Sequence, residues 1–499
     1  MRKAALRTSR AADEPNLILP LASSINERGV AGFTHSVTNS EDQRKVNCFY
    51  ELAKNPMTGK GTLTLAKRPG VTIDGNSYGS SSQVSVIITR VGSMQDGSNL
   101  SWVFSTLSGD IRVSSSGSTT VILAATPSLT PTFVDHTTIS GVDTIVVQLR
   151  EQNINTKHRV FFASAIGSWT EITDADFTAI FHKGKMEHMD GFAFILGNDN
   201  NIWSSDTNSL ANWTATSFLA KQIRQDAPVG LARLNNQILA FGDETMEAFY
   251  NAGNTIGSPL LPLRHLHQKI GMHMTQQNHY YAIIEGNLFF VGRRAGGSSS
   301  RGVFSYNGQT VEKISTPYID KIIGEATIDS VYSFGFNGQK AVSIGISNLN
   351  ASTQRWLMFF PDYKEWFEWT STVFRPTNAS EYFLGMVMNK VYIFSSSDNW
   401  QDAGTSYPCS TQFKLPTNGS SRRFMPMYGV DADKDSTTND LTVEISTDDS
   451  ATFSTLGTIP LNQDRKVLFR GGSFRKAHIR LGNTNARPVR IANFLARLE

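Results

Sequence analysis

Asp190 to Ala215 reads DGFAFILGNDNNIWSSDTNSLANWTA. An apolar run from Phe192 to Leu196 meets the turn-forming Gly197-Asn198-Asp199-Asn200-Asn201, resumes at Ile202-Trp203, breaks at Ser204-Ser205-Asp206 and arrives at Trp213. This order predicts one antiparallel hairpin with a third strand beginning. Related apolar cores centre near Phe104, Val147, Ile238, Ile283, Phe334 and Leu384. The steps are roughly 43 to 51 residues, the period at which propeller blades repeat.

A single four-stranded blade cannot bury both of its faces, whereas blades packed in a ring exclude water together. The expected fold is therefore all-β: a β-propeller of six or seven blades over residues 76–400, joined to a β-rich, sandwich-like platform. The unit near Phe104 leaves the number open, because it either forms a blade or completes one begun elsewhere. Two stacked β-sandwiches fit the strand content but explain the even spacing less well. Asn307-Gly308 and Asn337-Gly338 are the strongest short-range hairpin signals, as both central residues of a type I′ turn need positive φ.

Composition supports a large globular core. Of the 499 residues 39% are hydrophobic, 10% aromatic and 18% charged, too few charges for disorder. The net charge of +3 leaves no electrostatic footprint of a dedicated DNA-binding surface. Cys48 and Cys409 lie far apart and cannot provide a disulfide framework, so two buried thiols and a reducing compartment are expected. No run of 18 or more apolar residues occurs, and the basic start MRKAALRTSR lacks the apolar core of a signal peptide, so no membrane insertion is expected.

The two ends differ from the middle. Residues 1–15 read as a flexible extension, either a solvated tail or a docking arm carrying Arg2, Lys3, Arg7 and Arg10. Residues 16–75 form an extended arm and part of the platform. Leu63 and Leu65 alternate with Thr62 and Thr64 as on a half-buried strand, closed by Pro69-Gly70. Residues 401–499 alternate apolar and polar as the strands of a separate β platform. Basic residues are frequent there, Arg465, Lys466, Arg470, Arg475, Lys476, Arg480, Arg487, Arg490 and Arg497. They read as a solvated face or as a docking surface for an acidic partner or DNA backbone.

The motifs that could carry chemistry fall short. Gly75-Asn76-Ser77-Tyr78-Gly79 has the spacing of a nucleophile elbow but sits in a Gly/Ser-rich loop. Gly59-Lys60-Gly61-Thr62 has Lys54 where a phosphate loop needs its first glycine. His265 and His267 could share a face near His273 and His279, yet Glu247 and Glu285 are not at a motif spacing, so a surface or interblade role is expected and no metal. Asp431 to Asp435 begins like a calcium loop, with Ser436 for its glycine and Thr442 for its bidentate glutamate. Ser446 to Phe453 resembles the structural Asp-box turn of sialidase-type propellers, while Trp356, Trp366 and Trp369 fit sugar stacking or core. Glycan binding or sialidase-like hydrolysis is thus the rival class.

A resemblance runs through nearly the whole chain after residue 15. Its segments are Asn16-Leu-Ile-Leu-Pro-Leu, Val46-Asn47 with Tyr50-Glu51, and Arg68-Pro69-Gly70-Val71. They continue with Phe241-Gly242 and Thr245 to Phe249, Gln268 to Gly271, Val311 to Ile323, and the closing RIANFLARLE. In this order the chain resembles the packaged-DNA stabilisation proteins of short-tailed bacteriophages, the tail hub or nozzle. The resemblance implies a virion tail protein assembled in the bacterial cytoplasm, without catalysis or cofactor. It implies a hexameric ring below the portal and head-to-tail adaptor that encloses the DNA exit channel and anchors the tail needle and the tailspikes or fibres. Arg2, Lys3, Arg7, Arg10, Arg465, Lys466, Arg475 and Lys476 are the expected adaptor or neighbour contacts.

Overall fold

The structure, a computed structural model, describes residues 15, 17–22, 44–54, 61–73, 87–90, 101–107, 110–115, 118–123, 129–151, 158–164, 168–224, 226–254, 256–273, 280–296, 301–336, 339–347, 354–373, 384–387, 390–394, 399–415, 422–448, 450–464 and 466–499. Strands dominate. Two compact units divide the chain, one built from Met1–Thr72, Arg355–Val373 and Phe394–Glu499, the other from Ile73–Gln354 and Phe374–Ile393.

The second unit is a β-propeller. Four antiparallel four-stranded sheets follow one another over residues 87–123, 129–171, 182–220 and 228–262, and a five-stranded sheet spans 270–313. We number them blades 1 to 5. Hairpins Thr327–Phe336 with Gln339–Ser347, and Leu384–Val387 with Lys390–Phe394, continue the series. Each expected centre thus falls in its own strand group, and Phe104 belongs to a full sheet, blade 1.

Blade 3 explains why its apolar run is unbroken. Phe192–Gly197 pairs with Asn201–Ser205, with Leu196 opposite Ile202, and Trp213–Ala220 adds the outer strand. Successive side chains of a strand face opposite ways. Ala193 and Ile195 therefore join Val146, Val160 and Phe177 on the blade 2 side, while Phe194 and Leu196 join Leu231, Ile238 and Phe249 on the blade 4 side. Both faces are buried, so both parities are apolar. Each of the larger side chains among these contributes about 1.5–3 kcal/mol by leaving water.

Turn chemistry departs from expectation at one place. Ser140-Gly141, Asp190-Gly191 and Glu285-Gly286 carry positive φ at both residues and join the first two strands of blades 2 and 3, and two strands of blade 5. These are the two-residue turns whose twist suits a hairpin. Asn307-Gly308 is not one of them, for only Gly308 has positive φ. The Asn307 Oδ1 accepts from the amides of Gln309 and Thr310, making a side-chain-capped four-residue loop between Tyr306 and Val311. Asn337-Gly338 and the elbow-like Gly75 to Gly79 lie outside the described residues.

The first unit interleaves the chain's ends as a sandwich. One sheet runs Cys48–Lys54, Gly61–Lys67, Arg490–Arg497, Met427–Ala432, Val467–Phe469, and Leu17–Pro20 also pairs with Arg490–Arg497. In the other, Glu365–Ser371, Lys45–Val46, Cys409–Lys414, His478–Asn483, Asp440–Ser446 and Ser454–Pro460 lie side by side. Phe413 of one sheet meets Phe494 of the other at 5.1 Å between ring centroids. Residues 355–373 fall inside the repeat region by spacing, yet they fold here, because Glu368 lies in register with Val46. Trp356, Trp366 and Trp369 are accordingly core side chains of this unit, and the Trp369 indole donates to the Cys48 carbonyl at 2.8 Å.

Arg68 is the centre of that unit, only 1% exposed. Its guanidinium holds both oxygens of Asp402 at 2.9 and 2.6 Å, the Asn47 Oδ1 at 3.0 Å and the carbonyls of Pro69 and Thr370 at 3.0 Å each. It also stacks on Tyr407, whose hydroxyl donates to the Arg68 carbonyl. Gly70 lies against the Gln401 backbone, where a Cβ would sit 2.0 Å from the carbonyl oxygen. Removing one partner of a buried pair strands the other charge, so Arg68→Ala and Asp402→Ala should each cost about 3–5 kcal/mol. Arg68→Lys, lacking the planar fork, should also lose most of this, whereas an exposed Arg475→Ala should be near neutral. Urea unfolding midpoints followed by tryptophan fluorescence check the ranking.

Candidate functional site

Among the described residues of the propeller, a group of charged and titratable side chains lies where the first strands of blades 2 to 4 meet the strand Tyr281–Ile284 of blade 5. Blade 2 supplies Phe133 and Asp135, blade 3 Lys185, Glu187 and His188, blade 4 Gly230, Leu231 and Arg233, and the start of blade 5 Tyr280 and Tyr281. The strands come close because Gly184 and Gly230 have no side chains: a Cβ on Gly184 would stand 2.7 Å from the Gly230 Cα. Tyr280 fills the space. Its hydroxyl accepts from the Lys185 amide at 2.9 Å and donates to the Leu231 carbonyl at 2.6 Å, and its ring meets Phe133 edge-on at 5.8 Å.

The charges lie beside this stopper. Lys185 Nζ is 3.1 Å from Asp135 and 3.7 Å from Glu187, the Tyr281 hydroxyl donates to Glu187, and His188 stands 3.4 Å from Asp135. Burial pushes the Glu187 carboxyl up to about 7, with Lys185 opposing and Asp135 adding to the rise. For Asp135 burial acts upward too, but Lys185 and His188 outweigh it and hold the carboxyl well below its usual range. Burial and the neighbouring Glu187 push both phenols far up. A carboxyl near neutrality beside a lysine and a tyrosine has the makings of an acid–base set. Here, however, the groups bond to one another and to backbone, so the arrangement ties four strands together.

The motifs of the resemblance serve the same end. Around Phe241-Gly242 and Thr245 to Phe249, the Asp226 carboxylate accepts from the Glu244 and Thr245 amides and from the buried Lys221 ammonium at 2.7 Å. A Cβ on Gly242 would strike that carboxylate at 2.2 Å. Glu247 accepts from the amides of Gln222 and Ile223 at 2.9 Å each. Within Val311 to Ile323, Thr316 caps the helix Pro317–Glu325 and Ser315 donates to Asp320.

The residues singled out by sequence are scattered. Arg2, Lys3, Arg7, Arg10 and Arg465 lie outside the described residues. Arg475 and Lys476 are exposed on a bend before His478–Asn483, and the Lys466 carbonyl accepts from Val430. Three other members of the basic series pair with carboxylates, Arg480 with Glu444, Arg490 with Glu51 and Arg497 with Glu499. His265 sits on the short 3-10 helix Arg264–Leu266, His267 against the Ala248 carbonyl and Phe249, and His273 against the blade 5 strand, while His279 is outside the described residues. Among the described residues no three His, Cys, Asp or Glu gather as a metal site. Asp431 accepts from Asn493, and Asp435 from Thr437 and Asn439, as a polar turn. In the Asp-box-like segment Asp448 accepts from Ser446 and Thr452, and Arg480 covers Phe453 at 4.1 Å, closing a hairpin. No described helix is long and apolar enough to cross a membrane.

Sequence reading missed a second titratable pair. His158 and His182 stack at 5.7 Å beside Phe177, and among the described residues both ring nitrogens of His158 and the Nδ1 of His182 have no hydrogen-bond partner. Burial depresses them to about 4 and about 3. The unfolded imidazoles bind protons first as pH falls below about 6.5, so this pair's stabilisation is present above that value and lost on acidification. Glu187 acts oppositely: its folded carboxyl keeps the proton longer, so its contribution is present below about pH 4.5 and lost as pH rises through about 7. Urea midpoints from pH 5 to 8 should therefore pass through a maximum. Glu187→Gln should flatten the alkaline side, and His182→Phe should shallow the acidic side between pH 6.5 and 5.

Solved structures share the fold only distantly. A chain titled as the mitotic checkpoint complex is 12% identical with a TM-score of 0.39, covering 70% of this chain and 96% of that one. An exo-β-1,3-galactanase from Phanerochaete chrysosporium is 9% identical with a TM-score of 0.28, covering 86% and 100%. A Mycobacterium tuberculosis puromycin-hydrolysing peptidase is 8% identical with a TM-score of 0.39, covering 76% and 58%. Likeness at this level carries no argument about chemistry. No curated protein matches the chain. Residues 128–340, which contain blades 2 to 5, match the model of a phage stabilisation family described as bacteriophage P22 Gp10, beta-propeller.

Proposed function

We propose that the chain is a structural virion protein, the tail hub or nozzle that retains packaged DNA in a short-tailed phage. The observation that carries this is the match of residues 128–340 to the phage stabilisation propeller. The order of the remaining segments supports it, because the Arg68-Pro69-Gly70 turn and the closing strand Arg490–Arg497 are structural members of the first unit. In this reading the protein forms a hexameric ring below the portal and head-to-tail adaptor, binds the tail needle and tailspikes or fibres, and works without catalysis or cofactor in the virion tail.

The propeller interior limits where DNA can run. Phe133 of blade 2 touches Tyr280 of blade 5, and Gly184 and Gly230 bring their strands together beside them. A duplex cannot pass between side chains in van der Waals contact. The DNA path in this proposal is therefore bounded by several copies, with each propeller as part of the wall. The small net charge of +3 fits a wall past which a polyanion slides.

Purified chain added to DNA-filled heads that carry adaptor but lack this protein should form sixfold rings at one vertex and protect the genome from nuclease. Class averages by negative-stain microscopy and residual DNA measure both. A chain that stays monomeric with heads and cleaves a fluorogenic sialoside or β-glycoside overturns the proposal. Deleting residues 1–15, or making Arg475→Glu with Lys476→Glu, should reduce ring attachment by at least about tenfold if these are adaptor or neighbour contacts. Full attachment of both variants removes that assignment.

A further inference from the structure

Cys48 and Cys409 are 361 positions apart, yet their sulfurs are 2.9 Å apart. Both are free and buried, at 1% and 7% exposure. Their surroundings fix this approach. Asn47 holds positive φ, donates to Thr370 at 2.9 Å and to the Pro408 carbonyl at 2.7 Å, and accepts from Arg68, so the residue before each cysteine is clamped to the other's strand. On the same side, Lys45–Val46 pairs with Ser410 and Thr411. Closing the sulfurs to a disulfide length of about 2.05 Å takes a movement of under about 1 Å.

The same place offers a charge and a small cavity. The Lys67 ammonium is buried, bonded to the Asn485 carbonyl at 2.6 Å and set over the Tyr407 ring. Among the described residues it has no carboxylate in ion-pair contact. A cavity of about 10 Å³, the size that holds about one water, is lined by Cys48, Cys409, Lys67 and Asn483. A thiolate is the reactive form of cysteine, and a nearby cation favours it. Burial and Cys409 push the Cys48 thiol well above its ordinary range, against a smaller downward pull from Lys45 and Lys67, so Cys409 is the better candidate for the first attack.

We propose that Cys48 and Cys409 are a peroxide-reactive dithiol that closes into a disulfide, stapling strand Cys48–Lys54 to strand Cys409–Lys414, with Lys67 steadying the thiolate. The oxidant is hydrogen peroxide, small enough to approach the cavity. The less buried Cys409, as thiolate, attacks one peroxide oxygen; the O–O bond breaks, a sulfenic acid forms and the departing hydroxide takes up a proton as water. The Cys48 thiol, losing its proton as it attacks, closes on that sulfur; the S–S bond forms, the S–O bond breaks and the departing hydroxide takes that proton to leave as a second water. Two thiols give two electrons and two protons, and one peroxide becomes two waters. The bond closes a long loop and restricts the unfolded chain. This inference stands on the geometry of the first unit and is independent of the proposed tail role.

The test uses the full chain, reduced, freed of reductant and exposed briefly to hydrogen peroxide. Peptide mapping should find the Cys48 and Cys409 peptides joined, with both thiols lost to a thiol reagent in denaturant. The urea midpoint should rise and return to its starting value with dithiothreitol. Lys67→Met should slow loss of the two thiols by about tenfold at unchanged pH. Intermolecular dimers, sulfinic acid on either residue in place of the linked peptide, or thiols that persist in the folded wild-type chain overturn the proposal. An unchanged rate in folded Lys67→Met overturns the part assigned to Lys67. Should Cys48→Ser or Cys409→Ser fail to fold, the wild-type map still decides.

Discussion

A guanidinium with almost no exposed surface survives only when each donor is met, and the first unit is arranged around meeting those of Arg68. Asp402 supplies the counter-charge, Asn47 and Thr370 supply acceptors, and Tyr407 covers the flat face. These partners come from the N-terminal arm, from residues 355–373 and from the C-terminal segment, so one side chain brings three distant parts of the sequence into register. The desolvation cost of such a pair makes it a poor source of net stability against an apolar replacement. What it supplies is specificity, since a strand slipped by one residue would strand a charge in the core. Lys67, Gly70 and the two thiols owe their positions to this same turn.

The propeller meets its central constraint without charge at the contact point. Blades narrow toward their first strands, and between blades 3 and 4 a side chain at position 184 or 230 would block the approach. Two glycines open the space and the Tyr280 phenol fills it, satisfying a backbone donor and a backbone acceptor. The ionisable groups are displaced to one side, where Lys185 lies between Asp135 and Glu187. Ionised together, two carboxylates near one lysine leave a surplus negative charge in a poorly solvated place. Burial above all, with Asp135 adding and Lys185 opposing, makes the protonated Glu187 the cheaper state there and lifts it toward neutrality.

How much of this was readable from sequence depended on the range of the physics. Blade strands announced themselves because both faces are buried, so Phe192 to Leu196 or Leu288 to Val291 stay apolar at every position. That is a local signal, and its spacing gave the propeller. Asn307-Gly308 did mark a hairpin, Tyr306 lying opposite Val311, but not a two-residue turn, because an asparagine can bond to its own turn as readily as it adopts positive φ. The tryptophans of residues 356–369 carried the right composition for a blade, but their strand is in register with Val46, a partner about 320 positions away that no local pattern reveals. The C-terminal basic series looked like a charged face because Glu51 and Glu444, which pair with Arg490 and Arg480, are remote from them in sequence. The convergence of Asp135, Lys185, Glu187 and Tyr281, and the meeting of Cys48 with Cys409, are products of topology and had no sequence signal.

The two units therefore differ in what holds them. Each blade pairs strands that are neighbours in sequence, so a propeller can add sheets one after another with little loop closure. The first unit pairs Leu17–Pro20 with the last strand, Arg490–Arg497, and that strand with Gly61–Lys67 and Met427–Ala432. Over 400 residues lie between Arg490–Arg497 and its two N-terminal partners, so the sandwich can close only after the C-terminal residues exist, and that pairing carries the long-range entropy cost. In return neither pairing end can peel away alone. Lifting the first strand exposes Leu19, and lifting the last exposes Phe494 together with its contact to Phe413. A body whose first and last described strands share one sheet keeps its shape until that sheet opens as a whole.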